Sequence, residues 1–186
     1  VLIQVFLLAA GRGRRALGPK AWLEHQGVPL LEKQLSFLLG RFKASDIRIS
    51  IQSEWLDRAR ALSSGVQWVC ADPDLPALAS VQALSESQQR SAEWTFLYHV
   101  DMPVWEEALW RVLEDRALRA ADADAVMPVF DGRGGHPVLL SAGVLLDLRG
   151  LDAGKDRLDH WLRSRSVLRV PVPFPCVLEN WNTPRT

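Results

Sequence analysis

Leu7-Leu8-Ala9-Ala10-Gly11-Arg12-Gly13-Arg14-Arg15-Ala16-Leu17-Gly18-Pro19-Lys20 turns an apolar run into a loop with three glycines, three arginines and a lysine. Glycine lets a backbone bend sharply and approach a ligand closely, so N–H groups can point at phosphate oxygens while the cations neutralise them. The stretch reads as an anion site. Upstream, Leu2 to Ala10 is almost continuously apolar, as expected of a strand covered on both faces of a parallel sheet. Downstream, Leu31, Leu35, Leu38 and Phe42 recur at helical spacing behind Pro29, a residue suited to a first helical turn. Strand, loop and helix make the first half of a βαβ unit.

The same alternation continues along the chain. Ile47 to Ile51 reads as a strand, Glu54 to Leu62 as a short helix, and Val66 to Cys70 as a third strand ending at Asp72-Pro73-Asp74. Leu78, Val81 and Leu84 mark a helix to about Gln89, and Trp94 to Val100 is a buried strand ending at Asp101-Met102-Pro103. Trp105, Leu109 and Val112 give the next helix its apolar stripe. Ala125 to Phe130 is a strand whose Pro128 belongs near its end or at a sheet edge. Gly132 to Gly135 reads as a flexible loop, His136 to Leu140 and Val167 to Val172 as the last strands, and Glu179 to Thr186 as a polar tail. Strands alternating with helices predict an α/β domain with a mostly parallel sheet, whose ligands sit beyond the carboxyl ends of the strands.

A chain of 186 residues fits one domain with a real core. Its 22 Lys plus Arg balance 22 Asp plus Glu, so no bulk field exists to hold nucleic acid or an anionic membrane, and any polyanion specificity is local. Cys70 and Cys176 form no CxxC pair, which argues against a zinc module or disulfide framework, suits a reducing cytoplasm and predicts two core thiols. Most of the eight tryptophans likewise read as core. No apolar run approaches the roughly 20 residues of a membrane span.

Three phosphate motifs compete for the first loop. Gly13 and Gly18 have Walker A spacing, but Pro19 precedes Lys20 and Ala21 offers no hydroxyl for magnesium. Gly11, Gly13 and Ala16 match a dinucleotide fingerprint literally, yet the helix it should open would contain Gly18-Pro19. A longer loop that wraps a triphosphate remains, with Arg15 and Lys20 as charge neutralisers.

The run from Leu8 to Leu35 resembles the signature LAAGxSxRMGxPKxLLxxxGxPLL of the MobA/MocA-like nucleotidyltransferases, keeping Ala9-Ala10-Gly11, Arg15, Gly18-Pro19-Lys20 and Gly27-x-Pro29-Leu30. Ala16-Leu17 stands where the family usually has Met-Gly. Asp101-Met102-Pro103 matches the family's strand-terminal metal site; a carboxylate there can also be read as an N-cap. Gly135-His136-Pro137-Val138 resembles the GHPV segment of the MocA-like branch, and Asn180-Trp181-Asn182-Thr183-Pro184 the family's (D/N)x(D/N)TP. Asp72 to Leu84 resembles the segment that approaches base and ribose, with Ser80 at the hydroxyl position. Asp72 and Asp74 also spell the DxD of glycosyltransferases, although Asp and Pro together are ordinary turn formers.

The resemblance implies a three-layer αβα Rossmann-like nucleotidyltransferase fold with a mostly parallel, mixed sheet. It implies transfer of a nucleoside monophosphate from CTP or GTP, with Mg²⁺, to a phosphorylated acceptor such as molybdopterin, releasing pyrophosphate. Leu8, Ala9, Ala10, Gly11, Gly13, Arg15, Lys20, Asp72, Ser80 and Asp101 would bind the nucleotide, with Arg15, Lys20 and Asp101 catalytic. Asp101 and Asn182 would hold the metal, and His136 and Asn180 would meet the acceptor. His136 has no general-base task, because a phosphate acceptor is already ionised. A sugar-phosphate acceptor and a non-catalytic nucleotide-binding domain are the rival readings.

Overall fold

The computed structural model describes residues 2–13, 18–88, 92–120 and 122–182. In chain order the elements are β1 (Ile3–Leu8), the hairpin β2 (Glu24–His25) and β3 (Val28–Pro29), α1 (Leu30–Leu39), β4 (Ile47–Ile51), α2 (Leu56–Leu62), β5 (Gln67–Cys70), α3 (Ala77–Glu86), β6 (Trp94–His99) and α4 (Glu107–Arg119). Then follow β7 (Ala125–Phe130), β8 (Arg133–Gly134), β9 (Val138–Ser141), α5 (Ala142–Leu148), α6 (Leu158–Leu162) and β10 (Val167–Pro171).

The main sheet runs β10-β7-β9-β6-β1-β4-β5, with β8 paired to β7. β1 lies parallel to β4 and β6, β4 to β5, and β7 to β10, while β9 is antiparallel to both neighbours. Strand side chains alternate between faces, and here both faces are dry. Val5 and Leu7 join a core shared with α1, α2 and α4; Phe6 and Leu8 join one shared with α3, α5 and α6. The expected three-layer α/β fold with a mixed, mostly parallel sheet is therefore present.

Several local expectations are corrected. α1 ends at Leu39, and Phe42 packs from the following turn, with its ring 5.9 Å from Trp110 and 6.0 Å from Phe96. The stripe of α4 is Leu109, Trp110, Leu113 and Ala117; Val112 lies on its flank at 38% exposure, and Trp105 precedes the helix, half-buried. α3 starts at Ala77 and ends at Glu86, short of the expected Gln89, which lies outside the described residues. Cys70 is exposed, because β5 is an edge strand; Cys176 is half-buried, and burial raises its thiol to about 11. Trp94, Trp110 and Trp181 are buried, whereas the other five tryptophans are half-buried against the two cores.

Gly132 to Gly135 forms part of a hairpin. Asp131 (φ 49°) and Gly132 (φ 72°) take the two left-handed positions, and Phe130 pairs with Arg133. That Asp-Gly turn matches the twist of the strands it joins. Pro128 is fourth of six residues in a strand paired on both sides, and is tolerated where the partner changes from β9 to β8. Among the described residues no helix is long and apolar enough to cross a membrane.

Candidate active site

Parallel pairing brings the loops after β1, β4, β5 and β6 to one edge of the sheet. β9 runs the other way, so its start reaches the same edge. Leu97 pairs with Val138, and two residues beyond each, His99 and His136 face one another with ring centroids 6.3 Å apart at 89°.

The first loop closes at a narrow neck. A Cβ on Gly13 (φ +61°) would lie 2.1 Å from the Gly18 carbonyl oxygen, so only glycine permits this approach. The Ala9 N–H donates to the Ser50 carbonyl at 3.1 Å, extending the β1 ladder toward β4. Gln52 donates to the Gly11 carbonyl at 3.3 Å. Arg12 donates twice to Asp74, at 2.7 and 2.5 Å, which ties the first loop to the loop after β5. Asp72 is exposed, and its carboxylate accepts from the Asp74 N–H at 2.8 Å; this pair thus serves the turn-forming alternative for the DxD sequence.

Lys20 opens a single 3₁₀ turn after Pro19, and its ammonium donates to the Asp101 carboxylate. Asp101 is only 2% exposed, a setting in which a carboxylate needs a charged partner. A cavity of about 430 Å³ lies against this pair, bounded by Leu8, Gly11 and Gly13 on one side and by His99, Asn180 and Asn182 on another. The tail reaches the cavity because the Trp181 N–H donates to the Asp101 carbonyl at 2.7 Å and its indole is clamped between His25 (4.4 Å) and Trp105 (5.4 Å). Asn180 and Asn182, on either side of Trp181, line the cavity.

No group of three His, Cys, Asp or Glu side chains that could cage a metal occurs among the described residues. Residues that carry hard oxygen donors nevertheless line this cavity: Asp101 with its carboxylate and Asn182 with its amide. Such a sparse set fits Mg²⁺ or Mn²⁺, which are held by one or two carboxylates together with substrate phosphates and water.

A larger cavity of about 1060 Å³ adjoins it, with His99 lining both. Its wall includes Leu78, Leu97, Met127 and Val138, and five cations face it: Lys155, Arg157, Arg163, Arg165 and Arg169, against Asp156 and Asp159. Arg157 engages Asp159 at 3.1 Å and Arg165 engages Asp147 at 2.9 Å, while Arg163 is exposed and has no side-chain ion pair among the described residues. Burial lowers the His136 imidazole to about 4, helped by His99, and lowers His99 as well, where Asp101 opposes the shift. Both rings are neutral near pH 7.

Leu8, Gly11, Gly13, Lys20, Asp101, Asn180 and Asn182 thus meet at one cavity, and His136 lines the adjoining one. Ala9 and Ala10 are buried beneath the loop. Ser80 is buried in α3 and lines neither cavity, since Pro76, Ala77 and Leu78 face the larger one. Arg15 and the Ala16-Leu17 departure, like Thr183 and Pro184, lie outside the described residues. Sequence reasoning missed His99, whose signal was a polar residue ending an apolar strand, and Gln34, a single amide on the apolar face of α1.

Comparisons with known proteins bear on the fold and the family. The family model described as MobA-like NTP transferase domain matches residues 5–170. No curated protein sequence matches the chain. Among solved structures, molybdopterin-guanine dinucleotide biosynthesis protein A from Archaeoglobus fulgidus superposes with a TM-score of 0.73 at 21% identity, over 97% of this chain and 93% of that one. Rv0371C of Mycobacterium tuberculosis, in complex with manganese, gives 0.73 at 20% identity over 98% and 95%. The 4-diphosphocytidyl-2C-methyl-D-erythritol synthase of Anaerococcus prevotii gives 0.71 at 14% over 96% and 91%. With a glycine-necked loop, a strand-terminal carboxylate and a family model spanning 166 residues from β1 to β10, this chain belongs to the MobA-like NTP transferase domain family.

Proposed function

We propose that the protein transfers a nucleoside monophosphate from CTP or GTP to a phosphorylated acceptor. An acceptor phosphate oxygen attacks the α-phosphorus in line, the new P–O bond forms as the α,β bridge breaks, and pyrophosphate leaves. The observation that carries this reading is the pair of adjoining cavities that meet at His99, one beside Lys20 and Asp101 and the other lined by cations. The first suits a triphosphate, the second an anionic acceptor.

The chain's task is to position the reactants and neutralise their charge. Arg15 and Lys20 hold triphosphate oxygens, and the backbone from Leu8 to Gly13 sets the nucleotide at the strand edge. Asp72, in the turn after β5, and Ser80, in α3, stand on the segment next to the first loop and are the candidates for the base and ribose end. Asp101 and Asn182 would hold the divalent ion. That ion, when bound, neutralises charge on the phosphates and on departing pyrophosphate. His136 lines the acceptor cavity, and its neutral ring donates or accepts a hydrogen bond without taking a proton; Asn180 lines the smaller cavity and meets an acceptor whose phosphate reaches across to the nucleotide.

Molybdopterin is the acceptor we favour, supported by the likeness to the Archaeoglobus protein and by a cationic cavity large enough for a fused-ring phosphate. A sugar phosphate or other phosphorylated alcohol is the second reading, supported by the likeness to the diphosphocytidyl-methylerythritol synthase. Purified protein is incubated with CTP or GTP, Mg²⁺ or Mn²⁺, and either molybdopterin or a panel of phosphorylated alcohols, and pyrophosphate is measured. Release dependent on molybdopterin is expected. Release only with another acceptor replaces the first reading by the second, and nucleotide binding without release under any acceptor points to the non-catalytic rival.

A further inference from the structure

From the contacts of the α1 carboxamide, we infer that Gln34 is a positioning residue that fixes the direction of the Asp101 carboxylate. Asp101 sits in a short turn after β6 whose three successive carbonyls are all engaged. The Gln34 amide nitrogen donates to the Val100 carbonyl at 3.0 Å and to the Met102 carbonyl at 2.7 Å, one on each side of Asp101, while the Asp101 carbonyl accepts from Trp181. With the peptide groups pinned before and after it, the Cα–Cβ bond of Asp101 has a fixed direction, and the Lys20 ammonium meets the carboxylate at its end.

The carboxamide itself cannot turn over. Its oxygen accepts from the Tyr98 hydroxyl at 3.1 Å and from the Trp105 indole N–H at 2.9 Å. An indole N–H only donates, so a reversed amide would set donor against donor. Two donors and two lone pairs are all used, in a residue with no exposure at all. Buried amides survive on apolar helix faces only when satisfied in this way. Gln34 stands among Leu30, Leu31, Leu35 and Leu38, a face that would pack as well with a hydrocarbon. A polar group here serves the loop, not the core.

The network also extends to the second oxygen donor. Trp105, held by Gln34, packs edge-on against Trp181, whose neighbours Asn180 and Asn182 line the nucleotide cavity. One amide therefore couples the Asp101 turn to the tail that carries Asn182.

This inference rests on the reading that Asp101 holds the divalent ion, and the test separates the two. Mn²⁺ alone is titrated into the intact chain and its free fraction read by electron paramagnetic resonance, with melting temperature measured in parallel. Gln34→Met should weaken Mn²⁺ binding at least fivefold, and Asp101→Asn at least tenfold. Leu35→Ala, which deletes buried apolar volume from the neighbouring position, should lower the melting temperature and leave the Mn²⁺ affinity within twofold. A Tyr98→Phe, Trp105→Phe double variant keeps Gln34 and most of the core volume but frees the amide to rotate; it should weaken Mn²⁺ binding at least threefold, and it decides the matter if Gln34→Met does not fold. Wild-type affinity in the folded Gln34 variant or in the double variant, with Asp101→Asn impaired, overturns the role of Gln34. Wild-type affinity in Asp101→Asn overturns the metal reading beneath it.

Discussion

The Lys20 ammonium and the Asp101 carboxylate form a direct ion pair, although 81 residues separate them in sequence. One arrives from the loop after β1 and the other from the turn after β6, and the parallel pairing of those strands makes their ends neighbours. On the proposed function the first would meet a triphosphate and the second a divalent ion, and the contact lets each satisfy the other's charge.

Removing either member should lower catalysis, and Lys20→Met, which leaves the buried Asp101 carboxylate without this partner, should lower the melting temperature as well. Asp101→Asn and Lys20→Met are expected to reduce pyrophosphate release by roughly 10²–10³-fold, the loss typical of a group that stabilises developing charge. Far-ultraviolet circular dichroism should be unchanged in both. Activity within fivefold of wild type in either variant removes that residue from the catalytic set.

The depressed histidines give the protein an acid limit. In the unfolded chain His136 binds a proton near pH 6.5; in the folded protein it does so only near 4. Between those values the unfolded state holds more protons, so stability is fully present above about pH 6.5 and is lost as pH falls toward 4. The contribution is at most roughly 3 kcal/mol. His136→Asn should flatten the difference in urea midpoint between pH 7 and pH 4.5 relative to wild type. An unchanged pH dependence would show that His136 is freely protonated.

Much of this arrangement was legible in the sequence, and the reasons it was not all legible are physical. Apolar runs with both faces buried announced β1 and β6, and Gly11, Gly13 and Lys20 announced the loop, because those signals are local. The pairing of Cys70 with an edge, the switch of partner at Pro128 and the left-handed Asp131-Gly132 turn depended on which strands became neighbours, information that periodicity does not carry. Gln34 was invisible for the same reason. A single amide on a helix face gains meaning only when the turn around Asp101 folds onto it from 66 and 68 residues away.

The neck of the first loop predicts a separation of binding from stability. Gly13→Ala places a methyl 2.1 Å from the Gly18 carbonyl at a φ of +61°, so the neck has to open. The main cores lie elsewhere, and the melting temperature should fall by only a few degrees. Affinity for CTP or GTP, read by thermal shift or calorimetry, should fall at least tenfold. Unimpaired affinity would mean that the loop does not cradle the nucleotide.

Arg163 offers the matching separation on the acceptor side. It faces the larger cavity, is exposed, and among the described residues lacks the carboxylate partners that Arg157 and Arg165 have. An anionic acceptor gains from that charge through screened attraction, worth less at high salt. Arg163→Glu reverses it at a surface position where folding tolerates the change. The KM for the acceptor should rise at least fivefold, and more at 50 mM than at 500 mM salt, while nucleotide affinity stays within twofold of wild type. If the KM for nucleotide rises instead and that for acceptor does not, the two cavities have exchanged roles, and the triphosphate belongs beside the arginines.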